Sequence, residues 1–313
     1  MNINKNKLNK KVLIAITCML ISYTAGCGRN AVITRQTDEQ QTGSIENAIV
    51  SYLGPEGTYT QEACGVFFGR NGNYEPYSTV SEAVDALEAG NADYAVIPQE
   101  NTIGGAVTDY VDIVLTHEKL SVVGEVVLPI NQNLLVIPGT KLNEIKTVYS
   151  HKQGIAQGKE WLGRNLPNAE VIEVSSTAEG AKMVSESNDK ACAAIASAAC
   201  VDVYGLEMLA DAIQENDSNK TRFYVLSNDP PKETQAKRLA FVASGSAKDL
   251  PSLMKEINEQ NMTLISIHDR PMKTELGEYK YLMECTDCDY QTYLLLEKKS
   301  AMKLRYLGSF DEK

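Results

Sequence analysis

The stretch KTVYSHKQGIAQGKEWLGRNLPNAEVIEVSSTAEGAKMVSESNDKACAAIAS, residues 146–197, decides the fold. KTVYS (146–150), AEVIEV (169–174) and CAAIA (192–196) are short apolar runs. HKQGIAQGKEWLG and TAEGAKMVSES between them carry helical periodicity and stop at Gly or polar residues. Strands alternating with helices build an α/β domain with largely parallel strands. Working outward, IVSYL (49–53), YAVIP (94–98), LLVIP (134–138) and RFYVL (222–226) add strands, and VSEAVDALEAG adds a helix. Residues 120–137 read as a crossover between two lobes.

At Asp229-Pro230-Pro231-Lys232-Glu233 two prolines and flanking charges end the pattern, because proline continues neither a helix nor a central strand. Beyond it RLAFVA, DLPSLMKEINEQ, MTLISIHDR, EYKYLMEC, YQTYLLLEKK and MKLRYLGSF read as strand, helix, strand, strand, helix, strand. That order is a ferredoxin-like βαββαβ sandwich. The expected domains are therefore 48–229, a linker at 230–237, and 238–313.

The start of the chain reads as an address. Lys5, Lys7, Lys10 and Lys11 precede an apolar run from Val12 to Ser22, too short to span a bilayer comfortably, which takes about twenty apolar residues. Thr24-Ala25-Gly26-Cys27 follows and resembles a lipobox, whose cysteine is lipidated after cleavage. Residues 1–27 are thus an expected lipoprotein signal peptide and 28–47 a polar tether, which puts the protein outside the cell, on the outer face of its membrane. Thr24 stands where a lipobox usually has Leu, so ordinary cleavage or retention as an anchor stays open.

The 313 residues, 43% of them hydrophobic, suffice for a buried core. A net charge of −11 argues against a nucleic-acid surface and against attraction to anionic lipid. Membrane contact is expected only through a lipid on Cys27. Cys285-x-x-Cys288 could be a disulfide, but no histidine lies near enough for zinc spacing, and two unpaired or locally bridged surface thiols fit better.

Ser150, Ser176-Thr177 and Ser197 each stand between a strand and the next helix, as N-caps whose helix starts aim free N–H groups at a cleft. Three such caps at strand ends, with the turn Gly54-Pro55-Glu56-Gly57-Thr58, point to a carboxylate ligand between two lobes.

From Tyr52 to Phe310 the chain resembles prephenate dehydratases. The resemblance rests on Tyr52-Leu53-Gly54-Pro55-Glu56-Gly57-Thr58-Tyr59, Ile97-Pro98-Gln99-Glu100-Asn101-Thr102, Ser150-His151-x-Gln153 with Gln157, Ser176-Thr177-Ala178 and Asn219-Lys220-Thr221-Arg222-Phe223, in the family's order. It implies a two-lobed catalytic domain like that of periplasmic solute-binding proteins, then an ACT domain, and conversion of prephenate to phenylpyruvate with no cofactor or metal. By position, Thr221 would hydrogen-bond or protonate the leaving hydroxyl, as a relay donor because a free hydroxyl is a very weak acid. Asn101, Ser150, Gln157, Ser176 and Thr177 would bind substrate. His151 sits in a first helical turn, where the dipole disfavours its cation, and takes a supporting role with Arg222 and Phe223. His117, in a polar loop, has no evident partner.

The resemblance also implies a homodimer or homotetramer and an effector site for phenylalanine. There His268-Asp269-Arg270-Pro271 replaces the family's E-S-R-P and Ala247-Lys248-Asp249-Leu250 its G-A-L segment, changes that weaken inhibition. Leu307-Gly308-Ser309-Phe310 resembles the family's ending. Arogenate, with an amine in place of the side-chain ketone, is not separated from prephenate. A solute-binding lipoprotein is the alternative from another class, although it would need neither Thr221 nor a second domain.

Overall fold

The computed structural model describes residues 47–313 apart from 70, 71, 107, 235 and 237. The expected signal peptide, Cys27 and all but the last residue of the tether lie outside the described residues. The first elements are β1 (Ile49–Leu53), α1 (Tyr59–Phe68), β2 (Asn73–Tyr77), α2 (Val80–Glu88), β3 (Tyr94–Asn101), β4 (Gly105–Ala106), α3 (Thr108–Thr116) and β5 (Ser121–Pro129). Then come β6 (Asn133–Val136), β7 (Thr147–Ser150), α4 (Lys152–Gln157), α5 (Lys159–Asn165), β8 (Glu170–Glu173), α6 (Thr177–Ser187), β9 (Cys192–Ala196), α7 (Ala199–Tyr204) and β10 (Glu207–Ala210). The chain closes with β11 (Lys220–Ser227), β12 (Arg238–Ser246), α8 (Leu250–Glu259), β13 (Thr263–Pro271), β14 (Glu278–Thr286), α9 (Tyr290–Lys299) and β15 (Lys303–Phe310).

These strands form three sheets, which make two α/β lobes and a third layer. The first lobe has the order β2-β1-β3-β11-β5, with β4 on β3; the second has β10-β6-β9-β7-β8. Neighbours β2-β1-β3 and β8-β7-β9 run parallel, whereas β11, β6 and β10 pair antiparallel. The polypeptide crosses to the second lobe after β5 and returns on β11, so both connections between the lobes leave from adjacent strands of the first sheet. The segment 120–137, expected as a crossover, is largely the strand β5, with the crossing itself confined to Ile130–Gln132.

Local chemistry sets the helix starts. Thr79 and Glu82 form a reciprocal capping box on α2, and Asp289 accepts from Thr292 N (2.9 Å) on α9. The α6 face of Ala178, Gly180, Ala181 and Val184 is small and buried, which lets the helix lie close over β7. All five residues of β9 are buried, as a central strand covered on both faces requires.

Residues 238–313 have the strand order β13-β14-β12-β15, the ferredoxin-like arrangement. One sheet face packs under α8 and α9 around Phe241, Met283 and Tyr293. The other packs onto the first lobe, where Ala240, Val242, Leu282, Leu307 and Phe310 share one core with Val84, Leu87, Val111, Leu115 and Leu226. Each fully buried Leu or Val there contributes about 1.5–3 kcal/mol. Gly308 permits this contact: its φ is +150°, and a Cβ there would stand 2.1 Å from Val122 O on β5. No helix among the described residues is long and apolar enough to cross a membrane.

Candidate active site

The first lobe supplies a pair of polar side chains from adjacent strands. Register sets Thr221 on β11 opposite Asn101 at the end of β3, and Asn101 Nδ2 donates to Thr221 Oγ1 (3.0 Å). The same amide donates to Asn219 Oδ1 (2.8 Å) and Lys220 O (3.2 Å), while Asn101 Oδ1 accepts from Ile103 N and Gly104 N, both 2.9 Å. Two backbone donors on one oxygen fix which end of the amide is which. Thr221 is nearly buried. Its oxygen accepts from Asn101, and its own proton has no acceptor among the described residues, so it can be given to a ligand.

The second lobe brings Ser150, Gln157, Thr177 and Gln132 together around Gly154. A Cβ at Gly154 would stand 2.5 Å from Ser150 Oγ, 3.2 Å from Thr177 Cγ2 and 3.4 Å from Gln132 Oε1. Gln132 Nε2 donates to Gln157 Oε1 (3.0 Å), which turns the Gln157 amide nitrogen away from this bond. Gln157 is half-buried, and this bond anchors it. The lobes meet where Gly104 faces Gln153: a Cβ at Gly104 would lie 3.3 Å from Gln153 Nε2 and 3.7 Å from Asn101 Oδ1. Nearby, Tyr59 Oη reaches Asn131 O, Tyr204 Oη donates to Glu56 O (2.7 Å), and Ser197 Oγ to Gly57 O (2.7 Å).

The series of three caps reduces to one. Ser176 caps α6 by accepting from Glu179 N (3.0 Å). Ser150 is fully buried and donates to Ile195 O (2.7 Å), so the cap of α4 is His151, whose Nδ1 accepts from Gln153 N (3.4 Å). Ser197 is spent on Gly57 O, and α7 has no side-chain cap. In both cases a tertiary carbonyl outcompetes the local helix start. Burial, then the charge of Lys152, holds the His151 pKa below its usual value.

Behind Thr221 lies a charge cluster that joins the first lobe to the ferredoxin-like layer. Arg222 donates from Nε and Nη2 to Glu125 (3.2 and 2.8 Å) and from Nη1 to Glu100 (2.9 Å), and it touches Glu284 on β14. Glu284 also meets Tyr224 Oη and accepts from Gln99 Nε2 (3.2 Å); Arg238 bridges Glu125 and Glu312. Glu125 and Glu284 are fully buried. Burial opposes the Arg222 cation, but the Glu125 hydrogen bonds and the Glu284 charge override it and raise its pKa. Phe223 is buried beside the pair, in the core that also holds Tyr52 and Val126.

Further residues depart from expectation. His117 has a partner, Glu88 (3.0 Å). Cys285 and Cys288 are unpaired, as one form of the favoured reading had them, but they are buried and not on the surface, and burial pushes both thiols up to about 12. His268, Asp269, Arg270 and Pro271 lie on the sheet-edge strand β13; His268 Nε2 is buried without a hydrogen bond, and Arg270 reaches Asp112 on α3. Gln132, Asn219, Gln99 and Glu284 were not foreseen as parts of the site. The buried Asn219 Nδ2 and Gln132 Oε1 both lack partners, and the sequence signal for Asn219 was its place in the N-x-T-R-F segment. No group of three or more His, Cys, Asp or Glu among the described residues could hold a metal ion.

Known proteins match this arrangement. The prephenate dehydratase family profile matches residues 50–231. A bifunctional chorismate mutase/prephenate dehydratase of Neisseria gonorrhoeae is 36% identical over 83% of this chain and 74% of its own length. A prephenate dehydratase of Arthrobacter aurescens, solved in complex with L-Phe, superposes with a TM-score of 0.74 at 29% identity, over 84% of this chain and 89% of that one. A structure described as a novel type of quorum quenching acylase, GqqA, superposes at 0.76 over 85% and 98% of the two chains, but at 22% identity it speaks for the fold alone. The chain belongs to the prephenate dehydratase family.

Proposed function

We propose that the protein is a prephenate dehydratase, a carbon–oxygen lyase that forms phenylpyruvate in aromatic amino acid biosynthesis. The observation that carries this reading is the Asn101–Thr221 pair, with the Thr221 proton uncommitted at the interlobe cleft. In the reaction the ring carboxylate leaves as carbon dioxide, its bonding electrons enter the ring, and the ring C–O bond breaks. The departing hydroxyl needs one proton or a strong hydrogen bond to leave as water. Thr221 supplies that bond, and Asn101, by donating to the Thr221 oxygen, makes its proton a better donor. Because aromatisation drives the step, positioning and hydrogen bonding suffice.

Gln157, Ser176 and Thr177 would hold the substrate's carboxyl groups, with α6 adding its positive end. Ser150 takes part through its remaining acceptor sites or through Gly154, since its proton is engaged. His151, with its depressed pKa, is neutral near pH 7 and stays a supporting group. Purified protein incubated with prephenate in excess chelator should release phenylpyruvate. Tight binding without turnover would instead favour a solute-binding protein, and turnover of arogenate alone would move the substrate to the amine.

The ferredoxin-like layer is read as an ACT domain that pairs subunits along the β13 edge, where Ile265 and Ile267 are exposed. With His268-Asp269 in place of the family's acidic-serine pair, phenylalanine should inhibit weakly or not at all. Inhibition by micromolar phenylalanine would refute this. The export reading rests on residues 1–27; labelled fatty acid should enter the wild type and not Cys27→Ser.

A further inference from the structure

The pairing of β3 with β11 slips by one residue beside the candidate site. Thr221 faces Asn101 and Arg222 faces Glu100, but Phe223 faces Pro98, which leaves Gln99 as the extra residue of a β-bulge. A bulge re-aims the side chains next to it. This one sets which face of β3 presents Asn101 to Thr221, because a one-residue shift sends every side chain to the opposite face.

What holds the bulge comes from the other layer. Gln99 is buried, and its amide nitrogen donates to Glu284 Oε1 (3.2 Å) across 185 residues of sequence. The same carboxylate takes Arg222 and Tyr224 from the opposing strand, so one side chain grips both sides of the slipped register. Stability alone does not account for the arrangement. Two fully buried carboxylates, Glu125 and Glu284, are costly to desolvate, and an apolar cluster of similar volume would serve a core at least as well. A buried charge in such a place specifies one geometry over its near neighbours.

We propose that Glu284 is a positioning residue for the Thr221–Asn101 pair, clamping the Gln99 bulge and Arg222 from the ferredoxin-like layer. Fully buried and engaged by Gln99, Arg222 and Tyr224, it would act through these residues and not on the substrate. The inference deepens the dehydratase reading above and rests on it for its kinetic arm only.

The test uses the full chain with Glu284→Gln, which keeps volume and removes the charge. A misplacement of about 1 Å at a reacting group can cost about a hundredfold in rate. We expect kcat for prephenate to fall at least about tenfold with KM within about twofold. Because the loss acts through Thr221, adding Glu284→Gln to Thr221→Val should cost little more than Thr221→Val alone. Unchanged kcat, or losses that multiply in the double variant, overturn the proposal, since a remote structural defect would be additive. Should Glu284→Gln not fold, Gln99→Met removes one arm of the clamp and should show the same non-additivity. Hydrogen exchange supplies an arm independent of activity: amides of residues 219–223 should exchange faster in the folded variant than in wild type, and equal protection refutes the clamp. A wild type without prephenate turnover would sink the dehydratase reading and leave the exchange result to decide the clamp.

Discussion

Replacing Thr221 by Val removes one hydroxyl and keeps the β-branched shape of a strand residue, so it separates chemistry from packing. In the folded protein the hydroxyl oxygen accepts one hydrogen bond, from Asn101 Nδ2 at 3.0 Å. That donor keeps Asn219 Oδ1 at 2.8 Å and Lys220 O at 3.2 Å after the change, so no buried amide is orphaned. The stability cost should therefore be about 1 kcal/mol or less. The catalytic cost should be far larger. A preorganised donor aimed at developing charge is worth about 2.7–4 kcal/mol, or about 10²–10³ in kcat. Steady-state release of phenylpyruvate, with urea melts on the same preparations, measures both quantities. Thr221→Ser, which keeps the hydroxyl, should retain most of the rate. Equal turnover by wild type and Thr221→Val would remove this hydroxyl from the mechanism, and a loss confined to KM would make it a binding group only.

Arg222→Met should cost about 3–5 kcal/mol in urea-induced unfolding, because it leaves the fully buried Glu284 without its cation; a loss below about 1 kcal/mol would show that Arg238 or water can replace it. Gly154→Ala drives a methyl group to within 2.5 Å of Ser150 Oγ, which is itself held by Ile195 O, so an overpacking cost of about 1–3 kcal/mol should come with a raised KM for prephenate. Normal KM in that variant would place the substrate away from this corner. For His151 the folded pKa lies below the ordinary 6.5, so the unfolded chain binds more protons in the interval between the two values. Stability should accordingly be full above about pH 6.5 and fall as the pH drops from there towards the folded pKa; in His151→Gln that part of the pH dependence should flatten, as thermal melts across pH 5–8 would reveal.

Much of the architecture was legible because its signals are local. The alternation of apolar runs and helical segments between residues 146 and 197, and the six-element order after Pro231, need only neighbours in sequence to be read. Asn101 and Thr221 were legible through their motifs, and their register then explains why two segments 120 residues apart belong together. What failed is non-local. Ser150 and Ser197 have the residue type and position of caps, but each finds a carbonyl from another strand or turn, and a buried hydroxyl must take the acceptor that burial leaves it. SVVGEVVLP, residues 121–129, did not read as a strand because Gly124 and Glu125 interrupt it. A fully buried glutamate makes sense in a strand only once Arg222 and Arg238, 97 and 113 residues away, stand beside it. The polar strand NYEPY (73–77) was missed for a related reason: it lies at the edge of its sheet, where proline and charge are tolerated.

The same non-local contacts bear on how the third layer can influence the cleft. Were residues 238–313 tied on through the 230–237 segment alone, the state of this layer would reach the site only weakly. Instead Arg305 of β15 donates to the carbonyls of Val114 (2.8 Å), His117 (3.4 Å) and Glu118 (3.0 Å), satisfying the C-terminal end of α3, and Lys280 of β14 reaches Leu115 O (3.1 Å). Helix α3 begins just after the β4 segment, which pairs back onto Glu100 and Asn101. Lys313 continues the contact, since its N donates to Glu125 O (2.9 Å) and its main-chain oxygen accepts from Val127 N (3.1 Å) on the outer strand of the first lobe. A shift of the ferredoxin-like layer would thus have to move α3, the β5 edge and the Glu284 clamp together, and all three lead to the strands that carry Asn101 and Thr221. Influence from that layer should accordingly reach the cleft as a change in the geometry of this pair, not as a lid closing over it.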